Sequence, residues 1–147
     1  VEPIMAKKII TISPGTTIER AALIMQENRI NALPVIEDER LVGIITSTDV
    51  MKVLLRAIGF GEGSARFAVL VEDRIGIIAE VSRILKDQQI SIRSLITWPE
   101  KDYPGIYQLV MRVASKDKDN AISALSNQGF KVLAEYVNDL TPYLPNS

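Results

Sequence analysis

Two strongly patterned stretches flank a glycine-rich break at Gly59, Gly61 and Gly63, and each alternates short apolar runs with amphipathic ones. In the first stretch, residues 9–12 form a strand-length apolar run, and Thr16 with Glu19 makes the Thr-x-x-Glu pattern that starts a helix. Ile18, Ala21, Ala22 and Met25 then fall at i, i+3, i+4 and i+7, which places them on one buried face. Residues 33–36 and 41–45 are apolar runs joined by the charged turn Glu37-Asp38-Glu39-Arg40, and residues 49–57 predict a second helix with Val50, Val53 and Leu54 inward. The order is strand, helix, strand, strand, helix.

The second stretch predicts a strand at 66–71, a helix at 75–88, strands at 91–98 and 105–113, a helix at 117–128 and a strand at 131–137. This βαββαβ order is that of the ferredoxin-like plait. The expected class is α+β, with a first domain at 1–58, a linker at 59–65, a second domain at 66–138 and a tail at 139–147.

Composition narrows the chemistry. The 147 residues carry a net charge of −1, with both signs interspersed, so no general nucleic-acid surface is expected. The absence of Cys and His removes disulfides, thiol nucleophiles, histidine bases and nearly all zinc chemistry, so no catalytic and no metal site is expected. No apolar run approaches the roughly 20 residues that span a bilayer, and no charged leader precedes an apolar segment. The expectation is a cytoplasmic protein without membrane contact.

The candidate chemistry sits where the apolar run 41–45 passes into the second helix. Thr46, Ser47, Thr48 and Asp49 bring hydroxyls, a carboxylate and helix-start N–H groups together, which suits a nucleotide. Any helix start prefers the same residue types, so spacing alone leaves ligand site and simple cap both open. Glu37, Asp38 and Glu39 lie in a hairpin turn, where charge is solvated, and Trp98 and Tyr103 suit base stacking or an interface, the interface being favoured.

Five pieces in order, namely Pro3-Ile4-Met5, the run 9–12, Pro14 to Ala22, Asn31-Ala32-Leu33-Pro34-Val35 and Gly43 to Asp49, resemble a CBS domain, the regulatory module named after cystathionine β-synthase. CBS units work in pairs whose clefts hold adenine nucleotides. The resemblance implies ribose recognition by Asp49, phosphate contact by Thr46 and Thr48, and an adenine slot from Ile10, Thr11 and Ile12 with Ala32, Leu33 and Pro34, core packing being favoured for Ile12 and Leu33; Asn31 is a further candidate contact of the adenosyl ligand. Because Asn31 and Ala32 bring no charge where the family often has His or Arg, AMP, ADP or S-adenosylmethionine is favoured over ATP.

Residues 69–79 and 85–95 resemble an ACT domain, the module that binds amino acids in many metabolic regulators. The resemblance implies an effector loop of Asp73, Ile75, Gly76 and Ile77, with Ser91 reaching in from a partner subunit. The family's usual Asp-x-Pro-Gly reads Asp73-Arg74-Ile75-Gly76 here, which favours a structural role: Asp73 capping the helix and Gly76 permitting close approach of strand and helix. One CBS unit followed by an ACT unit, together with the loop from Trp98 to Gly105, resembles the acetoin-utilisation accessory family, in which two CBS units precede one ACT unit. With a single CBS unit and Val1 at its start, the sequence is expected to be the C-terminal part of a longer protein. The implied function is a non-catalytic ligand sensor needing no cofactor, at least a homodimer, with an amino acid as a second candidate ligand. The competing expectation is an oligomerisation module without a ligand.

Overall fold

The computed structural model describes residues 8–134, and its contacts divide the chain into two compact units between Leu55 and Arg56. Among the described residues no helix is long and apolar enough to cross a membrane.

The first unit is built from α1 (Ile18–Asn28), β1 (Ala32–Glu37), β2 (Arg40–Thr46) and α2 (Ser47–Ala57). β1 and β2 form an antiparallel hairpin whose turn residues Asp38 and Glu39 have φ of 47° and 63°. Two positive-φ residues give the turn a twist that matches the strands. Val42 is an extra residue on β2, because Val35 pairs with Gly43 while Ile36 pairs with Leu41.

The expected strand at 9–12 reduces to a single parallel bridge between Ile12 and Val35. Ile12 N–H donates to Pro34 O at 3.0 Å, and Ile36 N–H donates to Ile12 O at 2.8 Å. The next ladder bond would run from the N–H of residue 34 to the carbonyl of Ile10, and proline has no N–H to give. The helix start also shifts: Thr17, not Thr16, is the N-cap of α1, its hydroxyl accepting from Arg20 N–H at 3.2 Å. Thr16 is held in the preceding turn, where its hydroxyl accepts from Ser13 N–H at 3.2 Å.

Ala21, Met25, Leu33 and Val50 are the buried core of this unit, with Ile10, Ile12, Ile18 and Ile45 packed against them. Of the three α2 residues expected inward only Val50 is; Val53 is 44% exposed and Leu54 36%. The core is too shallow to receive more than one α2 side chain. Leu41, Val42, Ile44, Met51 and Leu55 are exposed as well.

The second unit carries β3 (Ser64–Glu72), α3 (Ile77–Asp87), β4 (Ser94–Pro99), β5 (Ile106–Ala114), α4 (Lys118–Asn127) and β6 (Lys131–Leu133), in sheet order β4-β5-β3-β6. All its pairings are antiparallel. β3 begins earlier than the apolar run indicates, at Ser64. β4 begins later, because Gln89 takes φ 59° and Ile90 N–H closes α3 on Leu85 O. The part of the expected last strand beyond 134 lies outside the described residues.

Alternation sends Phe67, Val69 and Val71 of β3 and Leu109, Met111 and Val113 of β5 to the helix-covered face, where they meet Val81, Leu85, Ala121 and Leu125. The opposite face carries Ala68, Leu70, Ile106, Val110 and Leu133.

Candidate functional site

The first candidate site lies at one end of the small sheet. Thr46 pairs with Ala32 across the hairpin, and Ser47 N–H donates to Asn31 O at 2.8 Å, so the start of α2 abuts the start of β1. The parallel bridge at Ile12 places residues 10 and 11 toward the same end, beside Pro34. Ile10, Thr11, Asn31, Ala32, Pro34, Thr46, Thr48 and Asp49 are thus neighbours. Thr11, Asn31, Ala32 and Thr48 are exposed, whereas Ile10 is half-buried against the core.

Thr46 and Asp49 bond reciprocally. Thr46 N–H donates to Asp49 Oδ2 at 2.8 Å, the Thr46 hydroxyl donates to the same oxygen at 2.7 Å, and Asp49 N–H donates back to Thr46 Oγ1 at 3.2 Å. This is a capping box with Asp in place of the usual Glu. The bond from the Thr46 hydroxyl, then that from its N–H, holds the Asp49 carboxyl below the usual aspartate range, against a small opposing desolvation; Lys52 adds to the lowering.

Sequence reasoning could not see how this commits the polar atoms. The only hydroxyl proton of Thr46 points at Asp49, so it is not available to a phosphate. Of the N–H groups at Ser47, Thr48 and Asp49, the first is taken by Asn31 O and the third by Thr46, which leaves that of Thr48. Both bonds to the Asp49 carboxylate fall on Oδ2; Oδ1 receives none from the described residues. The site therefore offers one carboxylate oxygen, on Asp49, and on the preceding residue, Thr48, one N–H with an exposed hydroxyl. The first suits a ribose diol and the second an anionic oxygen.

The second candidate site, at the entry to α3, is less unified. Asp73 and Ile77 line a hollow of about 160 Å³ with Val71, Thr97 and Tyr107. Ile75 is fully exposed, and Ser91 is exposed and does not line this hollow. The expected helix at 75–88 begins at Ile77, with Gly76 as N-cap and no side-chain cap bond, so Asp73 does not cap it. Asp73 instead uses its N–H to reach Gly105 O at 2.8 Å. Gly76 is required by its φ of 88° and not by crowding, since a Cβ there would meet nothing within 4 Å. Beside it Arg74 pairs with Glu80. No group of three or more metal-ligating side chains occurs among the described residues.

Comparison with known proteins agrees with this division. The CBS domain family model matches residues 1–56 and the ACT domain model residues 66–129. The chain carries a CBS domain followed by an ACT domain, two regulatory types that together make a ligand-sensing module. It is 30% identical over 89 residues to an uncharacterised protein of Methanocaldococcus jannaschii, covering 59% of this chain and 48% of the relative. It is 44% identical over 55 residues to an inosine-5'-monophosphate dehydrogenase of Staphylococcus haemolyticus, covering 37% of this chain and 11% of the enzyme. Relatives named as enzymes match over the CBS region alone. The ACT domain of a prephenate dehydrogenase from Bacillus anthracis is 27% identical, covering 46% of this chain and 97% of that one, with a TM-score of 0.38. The chain spans less than half the length of the two curated relatives.

Proposed function

We propose that this chain is a non-catalytic sensor of an adenosine-type nucleotide, in which Asp49 receives the ribose hydroxyls and Thr48 the phosphate. The observation that supports this reading is the divided carboxylate, with Oδ2 fixed by Thr46 and Oδ1 left without a partner among the described residues. A single remaining N–H and hydroxyl favour a ligand with few phosphates, such as AMP or ADP, or S-adenosylmethionine, over ATP. The exposed apolar side chains of β2 and α2 would be covered by a second CBS unit, from another copy or another part of a longer protein. The ACT unit, with two open sheet edges at β4 and β6, would supply a dimer frame or an amino-acid site at Asp73 and Ile77. A role in acetoin utilisation follows from the family resemblance and is part of this proposal.

Calorimetric titration of AMP, ADP, ATP, adenosine and S-adenosylmethionine into the wild type, Asp49→Ala and Asp49→Asn tests it. The Asn variant keeps an oxygen for the cap and removes the charge, so a folded protein that loses micromolar binding supports the ribose role. If wild type binds none of them below millimolar, the capping box is purely structural, and the interaction-module reading replaces this one.

A further inference from the structure

Across β3 and β5, Arg66 pairs directly with Arg112, and Arg112 pairs in turn with Ser94 of β4. Their neighbours Phe67 and Met111 point into the helix-covered core, so by alternation both guanidinium groups share the opposite face. Like charges set opposite each other in a ladder repel, and both side chains are half-buried. Among the described residues neither is joined to a carboxylate by an ion pair.

Of the two, Arg112 is held in place. Arg112 donates to Ser64 Oγ at 3.1 Å, and its guanidinium carbon lies 4.9 Å from the centre of the Phe60 ring. The loop that carries Phe60 is pinned to the end of the sheet. Ser64 Oγ reaches Gly59 O and Gly61 O at 3.0 Å each, Ser94 Oγ reaches Ile58 O at 2.7 Å, and Arg93 Nη1 reaches Gly63 O at 2.9 Å. The positive φ of Gly59, 72°, permits this path. Phe60 is 62% exposed, which leaves room for an apolar body beside the Arg112 guanidinium.

We propose that Arg66 and Arg112 form a binding site for a phosphate monoester, with Phe60 packing against its organic part. Two adjacent positive charges, one of them anchored, would be balanced by one phosphoryl dianion, and the guanidinium fork matches phosphate oxygens in geometry. Arg66 and Arg112 lie in the sheet and Phe60 on the segment that joins α2 to β3, so occupancy would tie that segment to the sheet. Its residues all belong to the second unit, whereas Asp49 belongs to the first.

The test is a titration of the full chain with phenyl phosphate, followed by backbone amide resonances at pH 8 and pH 5. Saturable shifts at residues 60–66 and 110–113 are expected, with affinity falling about tenfold or more in Arg66→Gln and in Arg112→Lys, which keeps the charge and loses the fork. Affinity should also drop several-fold at pH 5, below the second phosphate ionisation near about 6, where the ligand becomes a monoanion. Shifts that do not saturate, that fall only on residues 46–49, or that are unchanged in Arg66→Gln would overturn the proposal.

Discussion

The two units solve the same problem to different depths. In the ACT unit, α3 and α4 cover one face of a four-stranded sheet, and twelve buried residues from strands and helices form one cluster. In the CBS unit a two-stranded hairpin and two helices bury four residues, while Leu41, Ile44, Met51, Val53 and Leu54 stay exposed. A two-stranded sheet with a thin core is marginal alone, and under the proposed function a second CBS unit would cover these exposed apolar side chains. Among the described residues the ACT unit thus has the deeper core and the CBS unit the larger share of exposed apolar side chains.

Substitutions in the deep core should separate the units most sharply. Phe67→Ala removes the largest fully buried side chain and is expected to cost about 3–5 kcal/mol. Denaturant melts read by Trp98, which lies in β4, should show the loss in the ACT transition alone. Leu33→Ala should cost about 2–5 kcal/mol in a unit with far less to spare. Loss of the CBS amide resonances with the ACT resonances intact is the expected result; a single shared transition for both variants would break the comparison.

On the exposed side the sign differs. Replacing Met51 and Leu54 by Ser should leave the stability of the isolated monomer within about 0.5 kcal/mol and weaken self-association in sedimentation velocity. At the caps the effects are smaller. Thr17→Ala should cost about 1 kcal/mol of CBS stability, and Thr16→Ala less, which tests the assignment of the helix start.

The pH dependence of the Asp49 capping box is smaller still. Its carboxyl pKa is lowered on folding, so its contribution is present above the ordinary aspartate value of about 3.9 and is lost as pH falls through the folded value. The stability difference between wild type and Asp49→Asn, measured by urea titration, should therefore be full at pH 7 and shrink below about pH 4.

Much of this was legible in the sequence because apolar period reports which face of an element is buried. The βαββαβ order of the ACT unit, its core strands and the Met25 face of α1 follow from that alone. Period does not report what covers a face. Val53 and Leu54 have the spacing of inward residues, yet the chain's own elements leave them exposed. Local hydrogen-bond competition was also out of reach: Pro34 ends the ladder with Ile12, Thr17 displaces Thr16 as cap, and Thr46 turns its hydroxyl to Asp49. For the candidate site, the residues at one end of the sheet could be named from the family pattern. The division of the Asp49 carboxylate into a committed and an uncommitted oxygen needed coordinates.

Under the proposed function, ligand binding at Asp49 and the covering of the CBS apolar face would be linked, so that a ligand shifts association by its difference in affinity between the covered and uncovered states. Sedimentation equilibrium of the wild type and Asp49→Asn, with and without saturating AMP, measures that link directly. AMP is expected to tighten self-association of the wild type and to leave Asp49→Asn unchanged. Identical association constants with and without AMP, in a wild type that calorimetry shows to bind it, would mean that the Asp49 site and the apolar face are not coupled.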